Sequence, residues 1–139
     1  MINIEGVMIM SNECSIFQDY VSNAQFRNKS ILDIVTKLSE QTAMLDRAVF
    51  KSVTHCGCIK INAEKQVICN DKTIEENKCI LKSHVEGNLC PKCKEKVEEE
   101  MGDLIFYLVS LCDTLDIQLS DVISQKLDYL KTLGIYSLL

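Results

Sequence analysis

The stretch CPKCKEKVEEEMGDLIFYLVSLCDTL, residues 90–115, decides how the chain is read. It opens with a Cys-x-x-Cys pair and passes through an acidic turn, Glu98-Glu99-Glu100, with Asp103 three residues beyond. It then becomes a helix pattern with Val97, Met101, Leu104, Ile105, Leu108, Leu111, Cys112 and Leu115 on its core side. From Lys94 to Leu115 such a helix spans about 33 Å at 1.5 Å per residue. A metal knuckle, a pair of carboxylates at helical spacing and a core helix therefore share one continuous segment.

Reading outward, Asp116-Ile117-Gln118 is a tight connection into a last helix, Leu119 to Leu133, with Leu119, Val122, Ile123, Leu127 and Leu130 facing in. Gly134 is a natural residue to end it, and the tail 135–139 is apolar enough to pack rather than hang free. Upstream, Ser30 with Asp33 three later is a variant capping box. It opens a helix whose Ile31, Ile34, Val35, Leu38, Thr42, Leu45, Ala48, Val49 and Val53 form one stripe. An earlier helix is expected from Ser11 to Phe26, on Ile16, Phe17, Tyr20, Val21 and Ala24, and residues 1–11 read as an extended arm. Between the second and third long helices lies an irregular insertion, 54–93. Within it Ile59–Ala63 alternates like a short strand, 64–72 reads as loop, and Thr73 with Glu76 is a capping box for one short helix ending before Gly87. The expected architecture is all-α: one domain, 1–139, of about four helices interrupted by that insertion.

Composition agrees with a single helical domain. The 139 residues hold one proline and five glycines, with 47% hydrophobic and 25% charged residues, enough apolar material for a core of its own. A net charge of −5, with acids and bases interleaved, excludes a nucleic-acid surface, which requires a basic patch. The N-terminal MINIEGVMIM lacks the basic start of a signal peptide, and no apolar run reaches the 18 residues of a membrane span. A cytoplasmic location is the resulting expectation, with no membrane partner. In a reducing compartment eight cysteines are read as metal ligands before disulfides.

Cys56-Gly57-Cys58 and Cys90-Pro91-Lys92-Cys93 lie on either side of the insertion. Two short-spaced pairs supply the four thiolates that tetrahedral zinc requires, and a four-thiolate site leaves no position for water, so it is structural rather than catalytic. Gly57 permits the cramped turn of the first pair, Pro91 stiffens the second, and Lys60, Lys92 and Lys94 are placed to offset the charge of a zinc tetrathiolate. His55, His84, Cys69 and Cys79 are the other residues near enough in sequence to join such a site. Cys14 and Cys112 fall on helix patterns and read as small apolar residues.

Glu100 and Asp103 project from one helix face, with Glu99 within a turn. Such carboxylates suit Mg²⁺ when a second helix adds more, although an acid-rich first turn also simply opposes the helix dipole. Glu99-Glu100-Met101-Gly102-Asp103-Leu104-Ile105-Phe106-Tyr107-Leu108, followed by Leu115-Asp116-Ile117-Gln118-Leu119-Ser120-Asp121-Val122-Ile123 and Lys126, resembles the second half of the MazG-like, all-α nucleoside triphosphate pyrophosphohydrolases. Lys37-Leu38-Ser39-Glu40, with Leu45 and Arg47-Ala48-Val49, resembles the first acidic helix of that family. The resemblance implies Mg²⁺ held by Glu100 and Asp103, with Glu40 and Glu99 as further candidates. It also departs from the pattern. Aligned through Arg47-Ala48-Val49, the first helix offers Gln41 and Met44 where the family has two glutamates, and shifting to use Glu40 puts Ala43 at the second position. The cysteine insertion lies outside the family pattern as well.

The functional expectation is a divergent MazG-like protein with structural zinc and a degraded magnesium site, binding a nucleotide or a protein partner. The alternatives are an active Mg²⁺-dependent pyrophosphohydrolase and, in another class, a thiol–zinc redox switch. Broad apolar helix faces, with Phe106, Tyr107, Val109 and Leu111 around the third long helix, point to a homodimer.

Overall fold

The computed structural model describes residues 4–138 and is predominantly helical. Helix α1 (Ile4–Ala24) leads into α2 (Ile31–Lys51), which begins where the Ser30 side chain accepts a hydrogen bond from the Leu32 N–H. The capping partner is thus Leu32, and Asp33 contributes only its charge to the first turn. The end of α2 widens into a π-helical turn, Ser52–Cys56, closed by the Gly57 N–H donating to the Ser52 carbonyl at 3.0 Å. The insertion follows: strand β1 (Ile59–Ile61), helix α3 (Ile74–Ile80) and strand β2 (Val85–Gly87). Helix α4 (Pro91–Thr114) and helix α5 (Leu119–Leu133) complete the chain, ending in a 3₁₀ turn over Gly134–Leu138.

The sequence signals hold well within the second half. Thr73 and Glu76 form the full reciprocal capping box, β1 falls inside the alternating stretch, and Gly134 ends α5 at a φ of +53°. Two expectations are corrected. Residues 4–10 are helical rather than an extended arm, because nothing in this apolar run breaks the helix; residues 1–3 lie outside the described chain. The segment before Gly87 is a strand and not the end of α3: β2 pairs antiparallel with β1, Ile59 opposite Gly87 and Ile61 opposite Val85.

Helices α2 and α4 are the main packed pair, running antiparallel so that the end of α2 meets the start of α4 while Asn28 reaches Tyr107. Helix α1 packs across α4, and α5 returns along α1. The apolar core is thin: Val21, Ile34, Ile59, Val97, Val109 and Cys112 are the buried hydrophobic residues among those described. Of the α4 stripe, Val97 and Cys112 are buried and Leu104 and Leu111 half-buried, while Met101, Ile105, Leu108 and Leu115 are exposed. On α5 no residue is buried, and Val122 and Leu130 are exposed rather than facing in. Helical periodicity marks a stripe as apolar, but a single chain has no further layer with which to cover it.

Polar stitching supplements that core. The buried Gln18 amide donates to the Ile117 carbonyl at 2.9 Å and accepts from the Leu119 N–H at 2.8 Å, fastening the α4–α5 turn to α1. Asp116 adopts a left-handed φ of +56°, which lets the Ile117 N–H return to the Cys112 carbonyl at 2.8 Å. Gln18→Ala removes both partners at once and is expected to lower stability by about 1–3 kcal/mol, measured as a shifted midpoint in urea unfolding followed by circular dichroism.

Candidate metal centre

The two cysteine pairs, 32 positions apart in the chain between Cys58 and Cys90, are brought together by the β ribbon. Its register places Gly87 against Ile59, so the strand leaving Cys58 and the strand approaching Cys90 run side by side. Gly87 is the residue that permits this. Its φ is +85°, and a Cβ there would lie 2.8 Å from the Cys58 carbonyl oxygen. Gly57, at φ +73°, makes the bend of the Cys-x-Cys turn. On the other side Cys90 is the N-cap of α4, with Pro91 at the first helical position, where its missing N–H costs nothing.

The result is that the sulfurs of Cys56, Cys58, Cys90 and Cys93 all lie within 4.8 Å of one another. Cys56 and Cys90 are 3.7 Å apart. A regular zinc tetrathiolate with bonds of about 2.3 Å has sulfur–sulfur edges of about 3.8 Å, so the donor set fits a tetrahedral soft cation. Cys56 is exposed and the other three are half-buried.

The thiols differ in their electrostatics. The Cys93 N–H donates to the Cys90 sulfur at 3.5 Å. That backbone bond, followed by the Cys93 side chain, brings the Cys90 thiol down to about 7, as expected for a thiolate at a helix N-terminus. Cys93 moves the opposite way. The Ser52 hydroxyl works to lower it, but desolvation and the three neighbouring sulfurs outweigh that bond and push it up to about 12. Among the four thiols Cys90 is thus the readier to ionise and Cys93 the more reluctant.

The remaining sequence candidates are elsewhere. Among the described residues this is the one group of three or more His, Cys, Asp or Glu side chains close enough to share an ion. Cys69, Cys79, His55 and His84 are outside it. Cys69 instead sits in a turn where its N–H and carbonyl both bond the buried Asn77 amide. Glu40, Glu99, Glu100 and Asp103 are not gathered. Glu40 is on the α2 surface, 2.5 Å from Lys37, and Asp103 is exposed. Glu100 is 4% exposed, and the Lys96 ammonium sits 2.7 Å from it and 2.9 Å from Glu99. Those two carboxylates, Glu100 foremost, raise the Lys96 pKa and hold it charged.

A cleft of about 450 Å³ opens beside the cysteine group, between the end of α2 and the first turns of α4. Met44, Arg47, Ala48, Lys51 and His55 line it from α2 and the π turn, and Lys92, Cys93, Lys96 and Glu100 from α4, with Cys56 at the junction. Sequence reading placed Met44 and Glu100 on facing helices but did not reveal this cationic rim or the part played by Gly87. A glycine three residues before a Cys-x-x-Cys knuckle was the available signal, and it looked only like a helix stop.

No family model, curated protein or solved structure matches the chain. Among the described residues no helix is long and apolar enough to cross a membrane.

Gly87→Ala forces a side chain against the Cys58 carbonyl and into a left-handed backbone, a strain of about 1–2 kcal/mol before the clash is counted. Metal bound per chain, measured by plasma emission after gel filtration, is expected to fall well below the wild-type value in Gly87→Ala and in Cys58→Ser alike.

Proposed function

We propose that this chain is a MazG-like helical protein, stapled by structural zinc, that has lost divalent-ion chemistry and acts as a cytoplasmic, homodimeric nucleotide-binding module. The observation that carries the reading is the state of Glu100. It is the one carboxylate lining the cleft, it is buried, and a lysine of its own helix already supplies its counter-charge. Across the cleft stands Met44, a side chain with no affinity for a hard cation. A magnesium ion here would have to displace Lys96 from Glu100 and would find no second carboxylate to complete its shell. Mg²⁺-assisted attack on a phosphate needs a well-fixed ion, and Glu40 and Asp103 point to solvent instead of supplying one.

Zinc is the metal that best suits four sulfurs in a tetrahedral arrangement, and its closed shell there supports an architectural role. A soft, redox-inert ion with no open position ties helices without adding reactivity.

The homodimer rests on surface area. A folded monomer of 15.7 kDa exposes about 7,300 Å², whereas this chain exposes 10,759 Å². An obligate homodimer hides on the order of 1,000–2,500 Å² per chain, so there is ample surface for a second copy. Exposed Leu32 and Val35 on α2 and Ile105 and Leu108 on α4 are the kind of residues such an interface covers.

Zinc-loaded protein incubated with a panel of deoxynucleoside triphosphates and Mg²⁺ or Mn²⁺ is expected to release no pyrophosphate. Turnover that disappears in Asp103→Asn would overturn the reading in favour of an active hydrolase. In sedimentation equilibrium the protein is expected at twice the 15.7 kDa chain mass, and Leu108→Glu is expected to shift it toward the monomer; a purely monomeric wild type would remove the dimer.

A further inference from the structure

We propose that the cleft between α2 and the first turns of α4 receives the phosphate chain of a small soluble ligand, held by Arg47, Lys51 and Lys92 in place of a divalent ion, and assembled only when the cysteine group holds its metal. This deepens the binding role proposed above and rests on it.

The first support is charge. In a chain of net charge −5, the cleft gathers Arg47, Lys51, Lys92 and Lys96 against one acid, Glu100. Lys96 is committed to Glu99 and Glu100, just as Lys37, Lys82 and Lys94 are paired with Glu40, Glu64 and Glu98. Arg47, Lys51 and Lys92 make no ion pair with any described carboxylate. A concave site concentrates the field of such charges in a way that a flat surface does not.

The competing explanation is that these cations merely balance a zinc tetrathiolate. Lys92, next to Cys93, can do so. Arg47 stands further off in the chain, preceding Cys56 by nine residues, about two and a half helical turns. Its exposed guanidinium makes no ion pair with a described carboxylate, and the fork of donors it carries suits a phosphate. Met44, Ala48 and the aliphatic stems of the lysines give the rest of the wall an apolar character, as in most small-molecule sites, and 450 Å³ is within their usual size. The overall negative charge disfavours a nucleic acid as the source of the phosphates.

The second support is the shared wall. Cys56 and Cys93 belong both to the cysteine group and to the lining of the cleft. His55 immediately precedes Cys56 on the π turn, Lys51 is the last residue of α2 before that turn, and Lys92 immediately precedes Cys93. Metal binding therefore fixes the distance between the cations of α2 and those of α4. Without it only the mutual contacts of the sulfurs join the two segments there, and the α2 and α4 cations lose their common register.

Titration calorimetry of the zinc-loaded full chain with inorganic pyrophosphate, in low salt and without Mg²⁺, tests this. The expected result is saturable binding with one site per chain, weakened about tenfold in each of Arg47→Gln, Lys51→Gln and Lys92→Gln, and unchanged in Lys78→Gln and Lys131→Gln. Protein stripped of metal by a chelator, and shown by circular dichroism to keep its helices, is expected to lose the binding. Absence of pyrophosphate binding by the zinc-loaded wild type, or binding indifferent to the three cleft substitutions or to metal removal, would overturn the inference. A parallel titration with adenosine triphosphate separates the two levels. Nucleotide binding that ignores the cleft substitutions overturns the phosphate site while leaving the binding role, whereas failure of both ligands removes both.

Discussion

Four sulfurs within 4.8 Å of one another impose the condition on which the rest of this structure depends. As thiols they offer only weak mutual hydrogen bonds; as thiolates they repel one another strongly in so small a space. The arrangement becomes a firm joint when a cation sits among them. That joint connects the end of α2 to the start of α4, the two helices that pack together along most of their length. It also closes the insertion. From residue 54 to 93 the buried side chains are Ile59 and Asn77, far too little apolar area to offset the entropy of ordering forty residues. The β ribbon adds backbone hydrogen bonds, yet a two-stranded ribbon is marginal alone. A metal ion held by the four sulfurs would supply much of the folding free energy of this segment.

What could be read from the residues was whatever is encoded over a few positions. The reciprocal bonds of Thr73 and Glu76, the glycine that ends α5 and the spacing of the cysteine pairs are local signals, and each has its expected place in the fold; the period of α2 and α4 marks the helices but not which of their apolar residues are covered. The partner of β1 was hidden, because Val85–Gly87 has no alternation long enough to show and depends on a strand more than twenty residues away. Gln18 was hidden for the same reason: nothing near it in sequence says that its amide will serve the backbone of Ile117 and Leu119. The start of α1 was obscured differently. Its apolar residues surround the helix instead of forming a stripe, so periodicity carries no information there.

The acidic turn of α4 shows how burial changes the meaning of a sequence. Lys96 precedes Glu100 by one helical turn, the less favourable order for an exposed ion pair, and on the surface the contact would contribute little. Glu100 is buried, however, and a buried carboxylate demands a counter-charge. Lysine and a divalent ion are rival solutions to that demand. With Lys96 in place, the negative potential that would have drawn a metal ion into the cleft is cancelled at its source. Arg47, Lys51 and Lys92 then set the sign of the space that remains. The same helix face that resembles half of a magnesium site consequently presents positive charge to whatever enters.

The thin core bears on where a second copy would sit. The cysteine group secures one end of the α2–α4 pair, whereas exposed Ile31, Leu32 and Val35 are at the beginning of α2 and Ile105, Leu108 and Leu115 in the later half of α4. Because the helices are antiparallel, these residues gather toward the end remote from the cysteine group. Apolar area contributes to stability only once it leaves water. The two ends of the pair accordingly call for different means, a cation among the four sulfurs at one and apolar cover at the other. A subunit docked on the remote end covers the surface that a single chain leaves wet and keeps clear of Arg47, Lys51 and Lys92. Dimer formation and occupation of the cleft are thus compatible, and a charge placed at Leu108 can separate the subunits without touching the cations around the cleft.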